Sequence, residues 1–462
     1  MDRDGLRIVP EAVPDPDAVS DREAVPDAQA VPDAQTVPST QPAPATGPAT
    51  SPATGRRAIT SHRGSFRALE NRPFKLYFGG QVASASGTFL QQTAIGWLVL
   101  RLTGNAAELG LVLAVGGVPS LLFGPWGGTI ADRVDLRRLI IGTQLAYGLL
   151  AGLLWILAVE GHATVPAIVA ISVAGGFVQI ADSPARQAFV SSLVPPKDLS
   201  SAISLNGVVM NSARVVGPAV AGVLIATVGT TPCFGLNALS YLAIIAALVV
   251  LRPLHSGKPR HAAGGVRAGL RYAAGRQQLW LPLVMMALVG LLSFNFSVIL
   301  PLLASHTFHA SGGTYGLLTT MLSIGSVAGS LGVGLIRHPR RKYLMATALA
   351  FGVLLVATAL APNVALACVA LLLTGAAAFS FVTLCSTALQ LHAAPDYRGR
   401  IMALWVFVYI GTTPIGSIIT GAISSAGGPR AALLTGAAAC LVAAGIASLV
   451  RSPPTHLTDL AH

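Results

Sequence analysis

Charge is what this chain has least of. Only 10% of its 462 residues are Asp, Glu, Lys or Arg, against about 25% in a typical soluble domain, and 53% are hydrophobic. With a mean hydropathy of +0.66, that balance excludes a water-soluble globular body. Cysteine is equally sparse. Cys233, Cys368, Cys385 and Cys440 all fall inside apolar runs, which excludes a disulfide framework and reads as packing. The apolar body has no Cys-x-x-Cys, no His-Glu-x-x-His and no Walker-type loop, so no metal and no catalytic residue is expected. His306 and His309 have helical spacing but no further ligand nearby, and read as a surface pair. No cluster of polar groups that would serve an enzyme acting on lipid is visible. Carboxylates are also absent from the middle of every apolar run: beyond residue 75 they are Glu108, Asp132, Asp135, Glu160, Asp182, Asp198, Asp396 and Asp459. An intramembrane proton carrier is therefore not evident.

What the chain has instead is long apolar stretches of helix-crossing length, since about 20 residues at 1.5 Å per residue cross a 30 Å hydrocarbon core. Twelve are expected: 75–100, 107–129, 138–158, 163–187, 199–228 and 231–251, then 279–304, 313–336, 343–361, 363–391, 401–426 and 430–450. The 49 glycines suit helices that approach closely. The fold class is an all-α integral membrane protein of twelve transmembrane helices in two six-helix, pseudo-symmetric bundles. The expected domains are residues 66–251, a basic cytoplasmic central loop at 252–278, a second bundle at 279–451 and a short cytoplasmic tail at 452–462. Two echoes support the duplication: Pro195 to Gly222 against Pro395 to Gly421, and the 2–3 loop against Gly334 to Lys342. Residues 1–65 are a separate Pro/Ala/Asp-rich regime. There Ala-Val-Pro-Asp recurs at 12–15, 24–27 and 30–33, a composition expected to be a disordered cytoplasmic tail.

The basic residues test the count. Of 23 Lys and Arg from residue 71 onward, twenty fall on the terminal side of the twelve spans, only Arg101 and Arg430 on the other, and Arg214 within a span. Positive-inside bias then places both termini of a multi-pass membrane protein in the cytoplasm. The net charge of +12 is explained by orientation, with lipid rather than nucleic acid as the partner.

The loop between spans two and three reads Gly127-Gly128-Thr129-Ile130-Ala131-Asp132-Arg133-Val134-Asp135-Leu136-Arg137-Arg138. It resembles the loop 2–3 signature of the major facilitator superfamily (MFS) of transporters, with Asp135 where that family often has Gly. In span five, Asn206, Asn211, Arg214, Gly217, Pro218 and Gly222 form a run that resembles the Gly-Pro-x-x-x-Gly antiporter signature of its exporters, with Ala221 in a place often filled by Gly. Asp182-Ser-Pro184-Ala-Arg186-Gln-Ala-Phe189, Gly399-Arg400 and Gly411 to Gly416 narrow the likeness to a branch with enterobactin-type siderophore exporters and actinobacterial multidrug efflux pumps. The resemblance covers residues 70–450. It implies the MFS fold, alternating access and proton antiport, with no cofactor beyond the proton gradient and a small-molecule substrate, drug, siderophore or secondary metabolite, carried by a monomer. In that scheme Gly128, Asp132, Arg133, Asp135, Arg137 and Arg138 gate one face, with Asp132 facing the start of span eleven.

Several residues keep two readings. Arg214, the one charge near the middle of a span, is either bonded to backbone carbonyls or turned to the central cavity. Asp182 and Arg186, four apart, either pair on one helix face or serve coupling and gating, with His392 as a further candidate. Gln91, Gln92, Gln144, Gln179, Asn206, Asn211, Asn237, Asn295 and Gln390 are candidates to line the cavity or to bond between helices. Phe294, Phe296, Phe379, Phe381, Trp405 and Phe407 would add aromatic surface. An importer, a passive uniporter, or a non-transporting receptor fits the same hydropathy.

Overall fold

In a bilayer every backbone polar group must find its partner within the protein, and an unbroken apolar run answers that requirement as a helix. The computed structural model describes residues 67–131, 134–251, 266–333 and 340–450, and among these every regular element is helical. The first half consists of α1 (Arg72–Thr103), α2 (Ala106–Ala131), α3 (Leu136–Val159), α4 (Val165–Ser192), α5 (Leu199–Thr227) and α6 (Thr231–Val250). A short helix α7 (Val266–Ala274) precedes the second half, which comprises α8 (Gln277–Ser293), α9 (Phe296–Leu302), α10 (Gly312–Val333), α11 (Arg341–Leu360), α12 (Val364–His392) and α13 (Pro395–Leu449). The expected tails at 1–65 and 452–462 lie outside the described residues, apart from a short 3-10 turn at Arg67–Glu70 just beyond the first.

Among the described residues, ten helices are long and apolar enough to cross a membrane. One of them is two spans in one: α13 changes direction at Gly428, whose φ of 77° is open to glycine, and Pro429 restarts the helix. The remaining span is α1, long enough at 32 residues but less apolar because it carries Gln81, Ser84, Thr88, Gln91, Gln92 and Thr93. Twelve spans result. Helix ends follow local rules. Gly104 closes α1 in the left-handed region, Asp135 accepts from the Arg138 N–H to cap α3, and Asn363 accepts from the Leu366 N–H to cap α12.

Three expectations need correction. Span seven, read as unbroken over 279–304, stops at Ser293 and restarts at Phe296, and the Asn295 carboxamide donates to the Leu291 carbonyl at 2.8 Å across the break. Within the expected central loop at 252–278, Val266–Ala274 form the helix α7. Tyr272 near its end stacks on Tyr397 at the start of α13, with centroids 4.0 Å apart, and its hydroxyl accepts from the Ala394 N–H. Arg276 and Arg400 cover the outer faces of the two rings, making a four-layer stack. Span four is longer than its expected 163–187: it runs to Ser192, and Asp182 stands ten residues, about 15 Å, from its end.

Packing repeats between the halves. In the first, α2 packs on α4, α3 on α4 and α6, and α1 on α5 and α6; in the second, α10 packs on α12, α11 on α12 and α13, and α8 on α13. The caps repeat as well. Arg137 at the start of α3 donates to the Leu248 and Val249 carbonyls that end α6, and Arg341 at the start of α11 donates to the Val450 carbonyl after α13. A cation at a helix C-terminus meets both the unpaired carbonyls and the negative end of the dipole.

The main crossings between the halves are α5 on α10 and α2 on α13, and α9 also touches α1 and α2. At the first, a Cβ on Gly222 would come within 2.9 Å of the Gly316 Cα; at the second, a Cβ on Gly421 would come within 3.1 Å of the Gly110 Cα. The Pro195–Gly222 and Pro395–Gly421 echo in sequence is thus one glycine crossing built twice. Both lie toward the face opposite the basic loops, and further contacts (Gly117 with Pro414, Gly411 with Leu121) carry the second crossing to mid-helix.

Candidate functional site

The densest polar structure inside the membrane helices belongs to the first half. Asp182 on α4 is only 8% exposed in its side chain. Its Oδ2 accepts from Arg186 Nε at 2.7 Å, and its Oδ1 accepts from Thr143 Oγ1 at 2.6 Å and Gln144 Nε2 at 2.8 Å, both on α3. Arg186 passes a second donor, Nη1, to Gln81 Oε1 on α1 at 2.6 Å. The i,i+4 pair expected from sequence is therefore formed and is held from two further helices. Burial of an ion pair is tolerable only when its remaining lone pairs and protons are satisfied, and here they are.

The network continues along the same helices. Ser84 donates to Gln144 Oε1 at 3.5 Å, Thr88 and the Tyr241 hydroxyl are 3.2 Å apart, and Asn237 donates to Gln91 Oε1 at 2.8 Å. Tyr147 stacks on Tyr241 at 5.7 Å and donates to Gln179 Oε1. Gln81, Thr143, Tyr147 and Tyr241 were not singled out from sequence. A signal existed: Gln81, Ser84, Thr88 and Gln91 recur at intervals of three and four, a polar stripe on one face of an otherwise apolar helix.

A second assembly sits on the seam between the halves. Arg214 is fifteen residues from the start of α5 and thirteen from its end. Its guanidinium carbon lies 5.7 Å from the ring centre of Phe89 on α1 and 4.9 Å from that of Phe379 on α12, so one cation touches ring faces from both halves. Neither sequence reading named this contact. Phe379 adjoins Phe294 at 6.0 Å, and Phe294 adjoins Phe296, Phe351 and Tyr409, on which Trp405 stacks at 6.1 Å. Of the other aromatics expected to add surface, Phe381 is fully buried in the core of the second half and Phe407 is exposed.

The remaining candidates separate. Gln144 and Asn295 do not line an open cavity: both are buried, because Gln144 is engaged by Asp182 and Asn295 bridges the break in span seven against Ser417. Gln91 is tied to Asn237, and Gln92 and Gln390 are exposed, the latter donating to Ser386. Asn206 and Asn211 are half-buried on α5. His392 is at the exposed end of α12, its ring nitrogen 2.8 Å from its own helix's Ala388 carbonyl, and is not part of the Asp182 network. In the 2–3 loop, Asp135 and Arg137 are helix caps and Arg138 is exposed, whereas Asp132 and Arg133 lie outside the described residues and Gly128 is in the last turns of α2. In α5, Gly217 lets α1 approach: a Cβ there would meet Phe89 Cβ at 2.6 Å and the Leu90 N–H nitrogen at 2.8 Å. Pro218 is buried, and the helix runs through it without a break.

A family model described as "Transmembrane secretion effector" matches residues 63–462. The multidrug efflux pump Tap of Mycobacterium tuberculosis is 26% identical over 409 residues, covering 84% of this chain and 95% of that protein. The staphyloferrin A transporter of Staphylococcus aureus is 28% identical over 267 residues, covering 56% of this chain and 66% of that protein. Macrolide efflux protein A of Streptococcus pyogenes is 23% identical, with 75% and 88% covered. Among solved structures, a bacterial homologue of the lysosomal transporter Spinster, inward-facing and unoccupied, superposes with a TM-score of 0.68 at 13% identity, covering 82% of this chain and 97% of that one.

Proposed function

Because the chain belongs to the transmembrane secretion effector family of major facilitator transporters, we propose that it exports small amphiphilic molecules from the bacterial cytoplasm by alternating access, driven by proton antiport. The observation that carries the reading is the pair of glycine crossings, which join the halves on the face away from the basic loops. Two bundles closed at one face and joined by smooth backbone contact are built to rock. Positive-inside bias makes the basic face cytoplasmic, so this arrangement is the one that receives cargo from the cytoplasm. Drug and siderophore are the substrate classes that the relatives' names support for this chain. It works as a monomer, with the 252–278 segment and both termini in the cytoplasm.

Asp182 is the proposed proton carrier. It is the buried carboxylate of the described spans, and its partner Arg186 reaches Gln81 on a third helix, so protonation of Asp182 would release Arg186 and loosen three helices together. His392 and the 2–3 loop, with Asp132 at its centre, keep a gating role in this scheme.

The test uses purified protein in sealed vesicles under an imposed pH gradient, with uptake of a panel of siderophores and antibiotics into inside-out vesicles. Uptake that needs an acidic interior and falls to background in Asp182→Asn, at equal protein density, is the expected result. Uptake into right-side-out vesicles down the proton gradient would make the protein an importer. Flux unchanged by collapse of the gradient would make it a uniporter.

A further inference from the structure

The charges within the membrane helices do not balance. Asp182 and Arg186 cancel inside the first half. Glu108, Asp135, Glu160 and Asp198 all sit at helix ends, in a first turn or at a cap. That leaves Arg214 at mid-helix, and among the described residues no carboxylate lies within ion-pair distance of it and no protein acceptor takes a hydrogen bond from it. Phe89 and Phe379 flank its guanidinium, but ring faces satisfy none of its five N–H donors directionally.

We infer that the substrate brings the missing charge: a carboxylate, or an oxyanion of similar shape, on an apolar or aromatic body. A guanidinium offers two parallel donors to such a group, and the pairing is strong where water is sparse. The rings around it (Phe89, Phe294, Phe379 and Tyr409) supply the surface for the rest of the molecule. A cationic amphiphile would meet a field of its own sign and, among the described residues, no carboxylate on the seam to offset it. Because Arg214 touches a ring from each half, an anion bound there sits where rocking of the halves changes its surroundings. This inference rests on the exporter reading for the seam's role in transport, but not for the site's charge preference.

The experiment compares three probes of one scaffold on the full chain in lipid nanodiscs: N-dansyl-leucine, its methyl ester and N-dansyl-ethylenediamine, which are anion, neutral molecule and cation. Binding is read as energy transfer from tryptophan to dansyl, with empty nanodiscs subtracted. The acid should bind about 10-fold or more tightly than the ester, the size expected of a charge-assisted, bidentate contact. Arg214→Gln should erase that difference and leave the ester's affinity within about 2-fold, while Arg214→Lys keeps a reduced preference. The inference is overturned if the ester or the cation binds as well as the acid in the wild type, if the acid does not bind, or if the preference survives in Arg214→Gln. The wild-type comparison needs no variant, so a poorly folded Arg214→Gln leaves the test intact. Flux is measured separately: efflux without an acid preference sinks this inference and spares the exporter, and acid binding without efflux does the reverse.

Discussion

Asp182 is held by donors from Thr143, Gln144 and Arg186, and Arg186 is held in turn by Gln81. Such a pair is costly to break and cheap to replace. Arg186→Gln leaves a buried carboxylate without its cation and should destabilise the fold by about 3 kcal/mol or more, whereas Asp182→Asn with Arg186→Gln should recover most of that loss. Thermal unfolding of the three variants in one detergent checks it; a double variant no better than Arg186→Gln would contradict the pairing. The i,i+4 spacing made this contact legible in the sequence. What was not legible was its depth, because span four continues to Ser192 and leaves Asp182 well inside the helix. Nor could spacing show that Arg214 rests between rings 125 and 165 positions away along the chain, since sequence separation says nothing about which helices face each other. Arg137 and Arg138 look alike in the loop motif, yet one closes α6 and the other points to solvent.

At the scale of the helix, the two glycine crossings are the feature with consequence. Twelve spans and the internal duplication were readable from hydropathy, and most boundaries fell within a few residues of the observed ends. The break at Asn295 was not, because it involves neither Gly nor Pro and depends on a carboxamide that replaces lost backbone bonds. The glycine echo was readable as a repeat, but its partners Gly110 and Gly316 were not, being supplied by other helices. A side chain at Gly222 would press on the Gly316 backbone, and one at Gly110 would sit 2.4 Å from the Ser417 carbonyl oxygen. Gly222→Leu and Gly110→Leu should each prop the crossing open at a cost of about 1–3 kcal/mol. Cysteines placed along the face away from the basic loops, where both crossings lie, should then become more reactive toward a membrane-impermeant maleimide in both variants. Labelling identical to the parent would mean that these crossings do not control closure of that face.

For the molecule as a whole, the four-layer stack of Arg276, Tyr272, Tyr397 and Arg400 changes what counts as a boundary. By chain position α7 belongs between the halves, but by contact it belongs to the second, since its last turn is fastened to the start of α13. The covalent link left between the halves is then residues 252–265. Two fragments divided there, 1–258 and 259–462, should find each other when made in the same cell and co-purify through a tag on the first. A second fragment that begins at residue 277 lacks the stack and should be recovered in smaller amount. Peptide-bond continuity should, in other words, be dispensable at this one place, provided the second piece keeps Tyr272 to stack on Tyr397.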